Sequence, residues 1–279
     1  MEQVSLAGGA LLLTAAFFAG VINTVVGSGS LLTFPALLAL GIPPVPANIA
    51  NNAGLSVGNL AGVWGYRAEL VGQWRKLVPF MLLTAVGAAA GALALLNLPN
   101  EMFGVAAPAL IVLGCALVVL QPLISRRAGR RTPALSLTAA APSSPALSLQ
   151  ECAEQGAIER PLPPVRRALA YLSTLGTGIY GGYFGAAQGV IIVGLLGVLL
   201  DEPLQRINAI KNVLQTIAGA TATVIFVTIT HIDWGIVAVL AVGSTLGATV
   251  GAAVGRRIPP WFLRAFIVLV GAGSIYLLR

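Results

Sequence analysis

The chain has 279 residues, of which 57% are hydrophobic and 9% charged, with a formal net charge of +7. A soluble domain carries roughly 25% charged residues, so this composition excludes an ordinary water-soluble globule and implies several bilayer crossings. The positive charge does not indicate nucleic-acid binding. It gathers between apolar runs at Arg67/Arg75/Lys76, from Arg126 to Arg167, and at Arg256/Arg257/Arg264, as in cytoplasmic loops, with no aromatic-interleaved basic patch for a single strand.

Five apolar segments are predicted in each half, making an all-α polytopic membrane protein. In the first half they run over 4–26, 29–41, 47–66, 77–96 and 102–124. The chain opens Met1-Glu2 without a basic n-region, and its first apolar stretch runs directly into a glycine-broken motif. That segment is therefore expected to be retained rather than cleaved. The second segment spans about 20 Å at 1.5 Å per residue, short of the ~30 Å hydrocarbon core. It is expected either to re-enter or to form half of a discontinuous helix. Residues 125–165 turn Pro/Ala/Ser-rich and lose helical periodicity, which predicts a flexible cytoplasmic linker. The second half then has segments at 166–187, 189–200, 207–230, 234–255 and 260–278. The domains are thus a first membrane repeat (1–124), the linker (125–165) and a second membrane repeat (166–279).

The basic loops place the region near Arg67, the linker and the region near Arg256 inside, and the weakly charged loops 97–101 and 230–233 outside. An odd number of passes per half turns the second repeat upside down relative to the first. The repeat is visible in the residues. Residues 20–27 align with 178–185, two residues are inserted in the second half, and 29–52 then align without gaps with 189–212. Asn48 falls on Asn208, Asn51 on Lys211 and Asn52 on Asn212. The matching glycine-broken stretches, 19–35 and 178–193, are the strongest functional signal. Backbone that leaves the helix at bilayer depth must be buried in protein or line a wet cavity. Paired interruptions of this kind point to a transport site near the midplane, with short broken or re-entrant segments near 27–41 and 185–200.

A small anion needs donors and positive potential. A half-helix N-terminus supplies both, and glycine allows close backbone approach. Candidate substrate-binding groups are therefore Gly29 and Gly189 at the expected half-helix starts, with Asn23, Ser28, Ser30 and Gln188 as side-chain donors. Tyr180 and Tyr183 lie in the second glycine motif, and either one could line the pathway. Close helix packing through small residues is the alternative for any single glycine. Asn48, Asn51 and Asn52, and their counterparts Asn208, Lys211 and Asn212, cluster on one turn of an apolar helix. Positions four apart share a face. Capping accounts for one such amide but not for three together. Lys211 is the sharpest single candidate, because an ionisable residue in a membrane segment is costly. Its alternative is snorkelling to the interface.

His231 and Asp233 read as a solvated loop pair, and Trp64, Trp74, Trp234 and Trp261 as interfacial anchors. Cys115 and Cys152 have no metal or disulfide spacing. No cofactor, metal site, nucleotide loop or enzyme constellation is expected.

These motifs resemble the sulfite exporter TauE/SafE family. The resemblance rests on the run 20–51, on Leu60-Ala-Gly-Val-Trp-Gly-Tyr-Arg-Ala-Glu-Leu, on Ile232-Asp-Trp-Gly, on 243–252, and on the basic loop before Pro259. It implies a bacterial inner-membrane permease for small sulfur-containing or organic anions, such as sulfite or sulfonates. One departure stands out: the family's second-half pattern Gly-x-Gly-Gly-Gly reads here Gly185-Ala-Ala-Gln-Gly189. The expected mechanism is alternating access, with a channel-like conduit or a membrane scaffold that uses the linker as the competing readings. The partners are the anion and the bilayer, not nucleic acid. Coupling to a proton or another ion, and homodimer formation, are left open by the sequence.

Overall fold

Inside a bilayer every backbone polar group must find its partner within the protein, which leaves an apolar chain of this kind the α-helix. The computed structural model describes residues 6–98, 103, 109–118, 120, 163–200 and 202–254, and these contain helices and no strand. In chain order the helices are α1 (Leu6–Val25), α2 (Ser30–Ala39), α3 (Pro44–Gly65), a 3-10 turn (Arg67–Leu70), α4 (Trp74–Asn97), α5 (Ala109–Val118), α6 (Pro164–Tyr183), α7 (Gln188–Leu199), α8 (Leu204–Ile229) and α9 (Trp234–Val254). Residues 125–162 of the expected linker lie outside the described residues, as do the expected segment 260–278, Cys152, Trp261 and the basic cluster from Arg256 to Arg264.

Among the described residues, four helices are long and apolar enough to cross a membrane: those containing Gly8–Val25, Trp74–Asn97, Leu204–Ile229 and Trp234–Ala253. The burial pattern is that of a lipid-facing body. Leu60, Leu82, Val86, Leu172, Val224 and Leu246 are all largely exposed, while a set of Asn, Thr, Gln and Ser side chains is buried. Trp64, Trp74 and Trp234 are exposed at helix ends, with the Arg67 guanidinium 4.7 Å from the Trp64 ring. This is the arrangement expected of interfacial anchors.

Helix boundaries follow local chemistry. Pro43 caps α3 and Pro203 caps α8, both in extended geometry. The prolines at 44 and 46 sit in the first turn of α3, where a missing N–H costs nothing, so that helix starts three residues earlier than its hydropathy suggested. α6 stops at Tyr183 rather than 187 because the chain turns left-handed at Gly185, with φ +75°.

The repeat is carried through the packing. The first helix of each half packs on the fourth helix of the other: α1 on α9, and α4 on α6. Glycines make both seams. A Cβ on Gly247 would stand 1.8 Å from the Phe17 carbonyl oxygen, and one on Gly87 2.4 Å from that of Leu175. One on Gly20 would stand 2.2 Å from the Ser244 oxygen, and one on Gly178 2.7 Å from the Thr84 oxygen. Each contact in one seam therefore has a counterpart in the other. Small residues of this kind let membrane helices approach to backbone contact.

The same contacts give directions. Successive turns of α1 meet successive turns of α9 in the same order (Leu13 with Gly243, Phe17 with Gly247, Val21 with Gly251), so the two run parallel. The equivalent helices α3 and α8 run antiparallel, because Gly62 lies against Asn212 while Gly219 lies against Ser56. Antiparallel equivalents define an inverted repeat.

Candidate functional site

α1 and α6 end in the same way. The N–H groups of Val26 and Gly27 both donate to the Ile22 carbonyl, at 2.7 and 3.1 Å, and those of Phe184 and Gly185 both donate to the Tyr180 carbonyl, at 2.9 and 3.0 Å. Gly27 (φ +89°) and Gly185 (φ +75°) take the left-handed conformation that such an ending requires. Helix ends of this type leave the final carbonyls without intrahelical partners. In the apolar interior those carbonyls must be satisfied from elsewhere.

They are satisfied from the other repeat. At the end of α1, the Lys211 ammonium of α8 donates to the carbonyls of Asn23 and Thr24, each at 2.9 Å, and the Asn208 amide donates to Thr24 at 3.4 Å. At the end of α6, Asn48 and Asn52 of α3 donate to the carbonyls of Tyr183 (2.9 Å) and Gly181 (3.3 Å). The Asn-rich turn of each third helix therefore caps the broken helix of the opposite half. Lys211 does not reach for the interface: it is fully buried, and it is the one charged side chain among the buried described residues. Burying an ammonium costs several kcal/mol even after relaxation. Two carbonyl oxygens at the negative end of the α1 dipole offset part of that cost.

The two loops beyond these ends touch. The Gly189 N–H donates to the Gly27 carbonyl at 3.0 Å, and a Cβ on Gly27 would stand 2.5 Å from the Gly189 Cα. Only glycine fits either position at this separation. Asn23 is a hub beside them. Its amide donates to Asn59 at 2.6 Å, and its oxygen accepts from the Gly29 N–H at 3.1 Å and from Gln215 at 3.3 Å. The N–H groups of Gly29 and Gly189, expected as anion donors, are thus both bonded to protein acceptors in this conformation. Asn51 accepts a hydrogen bond from the Thr33 hydroxyl. Ser28 is buried with its hydroxyl unpartnered, and Ser30, the first residue of α2, is half-buried. Tyr183 contributes its carbonyl, while its ring packs edge-on against Phe103 at 5.8 Å. The Tyr180 hydroxyl donates to the Ala186 carbonyl at 2.6 Å, bracing the second loop.

The sequence-predicted residues therefore fall into two capped ends joined by the Gly27–Gly189 contact. Three further residues belong with them: Thr24, Asn59 and Gln215. Asn59 lies seven residues beyond Asn52, and Gln215 four beyond Lys211, so extending each polar face by another turn or two would have found both. Thr24 carries no sequence signal of its own. Asp233, expected as a solvated loop residue, caps α9 by accepting from the N–H groups of Gly235 (3.0 Å) and Ile236 (3.3 Å).

The sulfite exporter TauE/SafE family description matches residues 12–277, nearly the whole chain. The chain belongs to that family. Among curated proteins it is similar to a probable membrane transporter protein, ORF9, of Sinorhizobium sp., with 31% identity over 103 residues, which is 37% of this chain and 40% of that relative. The chain thus matches less than half the length of this relative. No solved structure matches it. Against the glycine-rich pattern of the TauE/SafE family, from which the chain departs here at 187 and 188, the glutamine has a structural counterpart. The Gln188 amide donates to the Thr177 carbonyl at 3.1 Å and lies over Gly181, where a Cβ would come within 2.3 Å of its nitrogen. In the first repeat the aligned positions are Ser28 and Asn23. Each broken motif thus carries one amide, on the helix before the break in the first half (Asn23) and at the start of the helix after it in the second (Gln188).

Proposed function

We propose that this chain is a secondary transporter for small sulfur-containing or organic anions, sulfite and sulfonates among them, acting in a bacterial inner membrane. The observation that carries the reading is Lys211: a fully buried ammonium held on two carbonyls of a broken helix, with no carboxylate paired to it among the described residues. Such a charge is retained where an anion must be received. The residues that would hold the anion are those of the two ends: Lys211, Asn208 and Asn212 with Asn23, Ser28, Gly29 and Ser30, facing Asn48, Asn51, Asn52, Tyr183, Gln188 and Gly189.

The closed contact between the two loops supports alternating access over an open conduit. Separating Gly27 from Gly189 would free the Gly189 N–H, and a shift of Asn23 would free that of Gly29. Two inverted halves rocking about this contact would then present the same donors to either side in turn. The family match and the similarity to a probable membrane transporter protein agree with this reading without fixing the anion.

The test is flux of radiolabelled sulfite into proteoliposomes, competed by sulfonates, sulfate and carboxylates. Saturable uptake that shows counter-flow is the expected result. Flux that rises linearly with concentration and shows no counter-flow would replace the transporter with a conduit. No anion flux from demonstrably folded protein would remove the reading altogether.

A further inference from the structure

The two capped ends differ in what remains unpartnered. On α3, the Asn48 oxygen is the sole orphan among its buried amides. On α8, both atoms of the Asn212 amide and the side-chain oxygens of Asn208 and Gln215 lack protein partners. Asn212 is fully buried and Thr24 nearly so, and the Thr24 hydroxyl is also unpartnered. Buried amides in native proteins nearly always find partners, so a cluster of orphans implies a further molecule.

Two of these side chains, Thr24 and Asn212, meet at Gly62. A Cβ on Gly62 would stand 3.2 Å from the Thr24 hydroxyl and 3.6 Å from the Asn212 side-chain carbon, so both side chains pack against Gly62 and lie beside one another. The carbonyl of the same Thr24 receives Lys211 and Asn208. An ammonium has three donors, and two of those on Lys211 go to carbonyls. The third, with the Thr24 hydroxyl and the Asn212 N–H, forms a donor set. The Asn212 oxygen beside them is an acceptor. The other repeat has no such set: Gly182 stands in place of Thr24, its Cα side closed by the Ala88 backbone at 2.0 Å from a Cβ.

We infer that the anion sits on the α8 side, between Thr24, Lys211 and Asn212, and that it is a singly charged oxyanion still carrying a proton. This rests on the transporter reading above and specifies its ligand. One ammonium balances one negative charge, whereas a dianion would bring an uncompensated charge into the low-dielectric interior. The ligand oxygens take the donors, and the ligand O–H donates to the Asn212 oxygen. An ion without a proton leaves that oxygen orphaned, at the cost of an unmade buried hydrogen bond. The groups shown at this place are Thr24 from α1, Gly62 from α3, and Asn212 and Asn208 from α8, the last on the Thr24 carbonyl. None of these titrates, so Lys211 and the ligand are the protonating groups.

The experiment is equilibrium binding to the purified full-length chain of sulfite, methanesulfonate and sulfate, across the pH range in which sulfite loses its second proton. Methanesulfonate keeps a single charge throughout and has no O–H, so it reports on the donor set without the bond to the Asn212 oxygen, and any pH slope in its binding comes from Lys211. Expected is sulfite affinity that falls about tenfold per pH unit above that ionisation, in step with the fraction of protonated ligand. Methanesulfonate should bind more weakly and without that slope, and sulfate should not bind. Thr24→Val and Asn212→Leu should each weaken sulfite binding about tenfold with the melting temperature held. Sulfite affinity that is flat or rises with pH, or both variants binding as the parent does, would overturn the inference while leaving an anion transporter. If none of the three ions binds, the transporter reading itself fails.

Discussion

The end of α1 and the end of α6 share one backbone solution and differ in the chemistry that completes it. Both stop on a left-handed glycine, and both donate two N–H groups to a carbonyl one turn back. Yet neutral amides cap α6, whereas a lysine caps α1. Fold symmetry thus does not extend to electrostatics. A duplicated scaffold supplies two equivalent places for helix breaks, and a single side-chain difference at Asn51/Lys211 makes one of them the charged end. The orphaned polar atoms gather at that end too, so function is expected to be lopsided within a symmetric frame.

The largest test is to remove what both ends share. Gly27→Ala adds a Cβ to a left-handed residue and drives it into the Gly189 backbone at 2.5 Å. We expect a loss of about 3 kcal/mol or more, from backbone strain plus overpacking. Gly189→Ala should be similarly severe. Thermal melts in detergent would measure both, and a Gly27→Ala protein as stable as the parent would show that the loops are not in contact.

Next comes the charge. Lys211→Met removes both carbonyl partners and the cation, and anion flux should fall roughly 100-fold. Asn51→Leu at the equivalent position should lower flux by no more than about tenfold, because a neutral amide rather than the cation is lost, together with its bond from the Thr33 hydroxyl. Equal losses in the two variants would erase the distinction between the ends.

A subtler pair separates bonded from orphaned amides. Asn52→Leu breaks a hydrogen bond to Gly181 and should destabilise the fold by about 1 kcal/mol. Asn212→Leu removes two buried atoms without protein partners, so stability should hold or rise slightly while sulfite binding suffers. Urea or thermal denaturation alongside binding reads out both. The smallest effect should separate Asn48→Ala from Asn208→Ala. The first loses a 2.9 Å bond and should cost about 1 kcal/mol, and the second loses a 3.4 Å bond and should cost less.

Much of this architecture was legible in the residues. The alignment of 29–52 with 189–212 predicts equivalent helices, and Asn48 and Asn208 each donate to the broken helix of the opposite repeat, whereas Lys211 bonds across to that repeat and Asn51 bonds Thr33 of its own. The breaks at Gly27 and Gly185 were legible because glycine clusters interrupt otherwise apolar runs. The partners of those amides were not. A side chain's type and spacing indicate which helix face it occupies, but not that its hydrogen bond goes to a carbonyl in the opposite repeat. Thr24 shows this most clearly. A threonine in an apolar helix is unremarked in sequence, and its importance comes from Gly62 and Asn212 meeting it from two other helices. The N–H groups of Gly29 and Gly189, read from the sequence as anion donors, are bonded to protein acceptors in the structure, which their glycine context alone did not indicate.

The exchange of helices between halves has a consequence for biogenesis. α1 emerges from the ribosome first, but its glycine-lined seam is completed by α9, and the carbonyls at its end by α8. Until those later helices insert, α1 must wait in the translocon or the bilayer with an uncapped terminus and an unpaired seam. The first repeat should therefore not mature on its own. Contacts of such long sequence separation also make assembly slow. Expressed alone, residues 1–124 should be degraded by membrane quality control, and co-expression of the remaining chain as a separate polypeptide should rescue them.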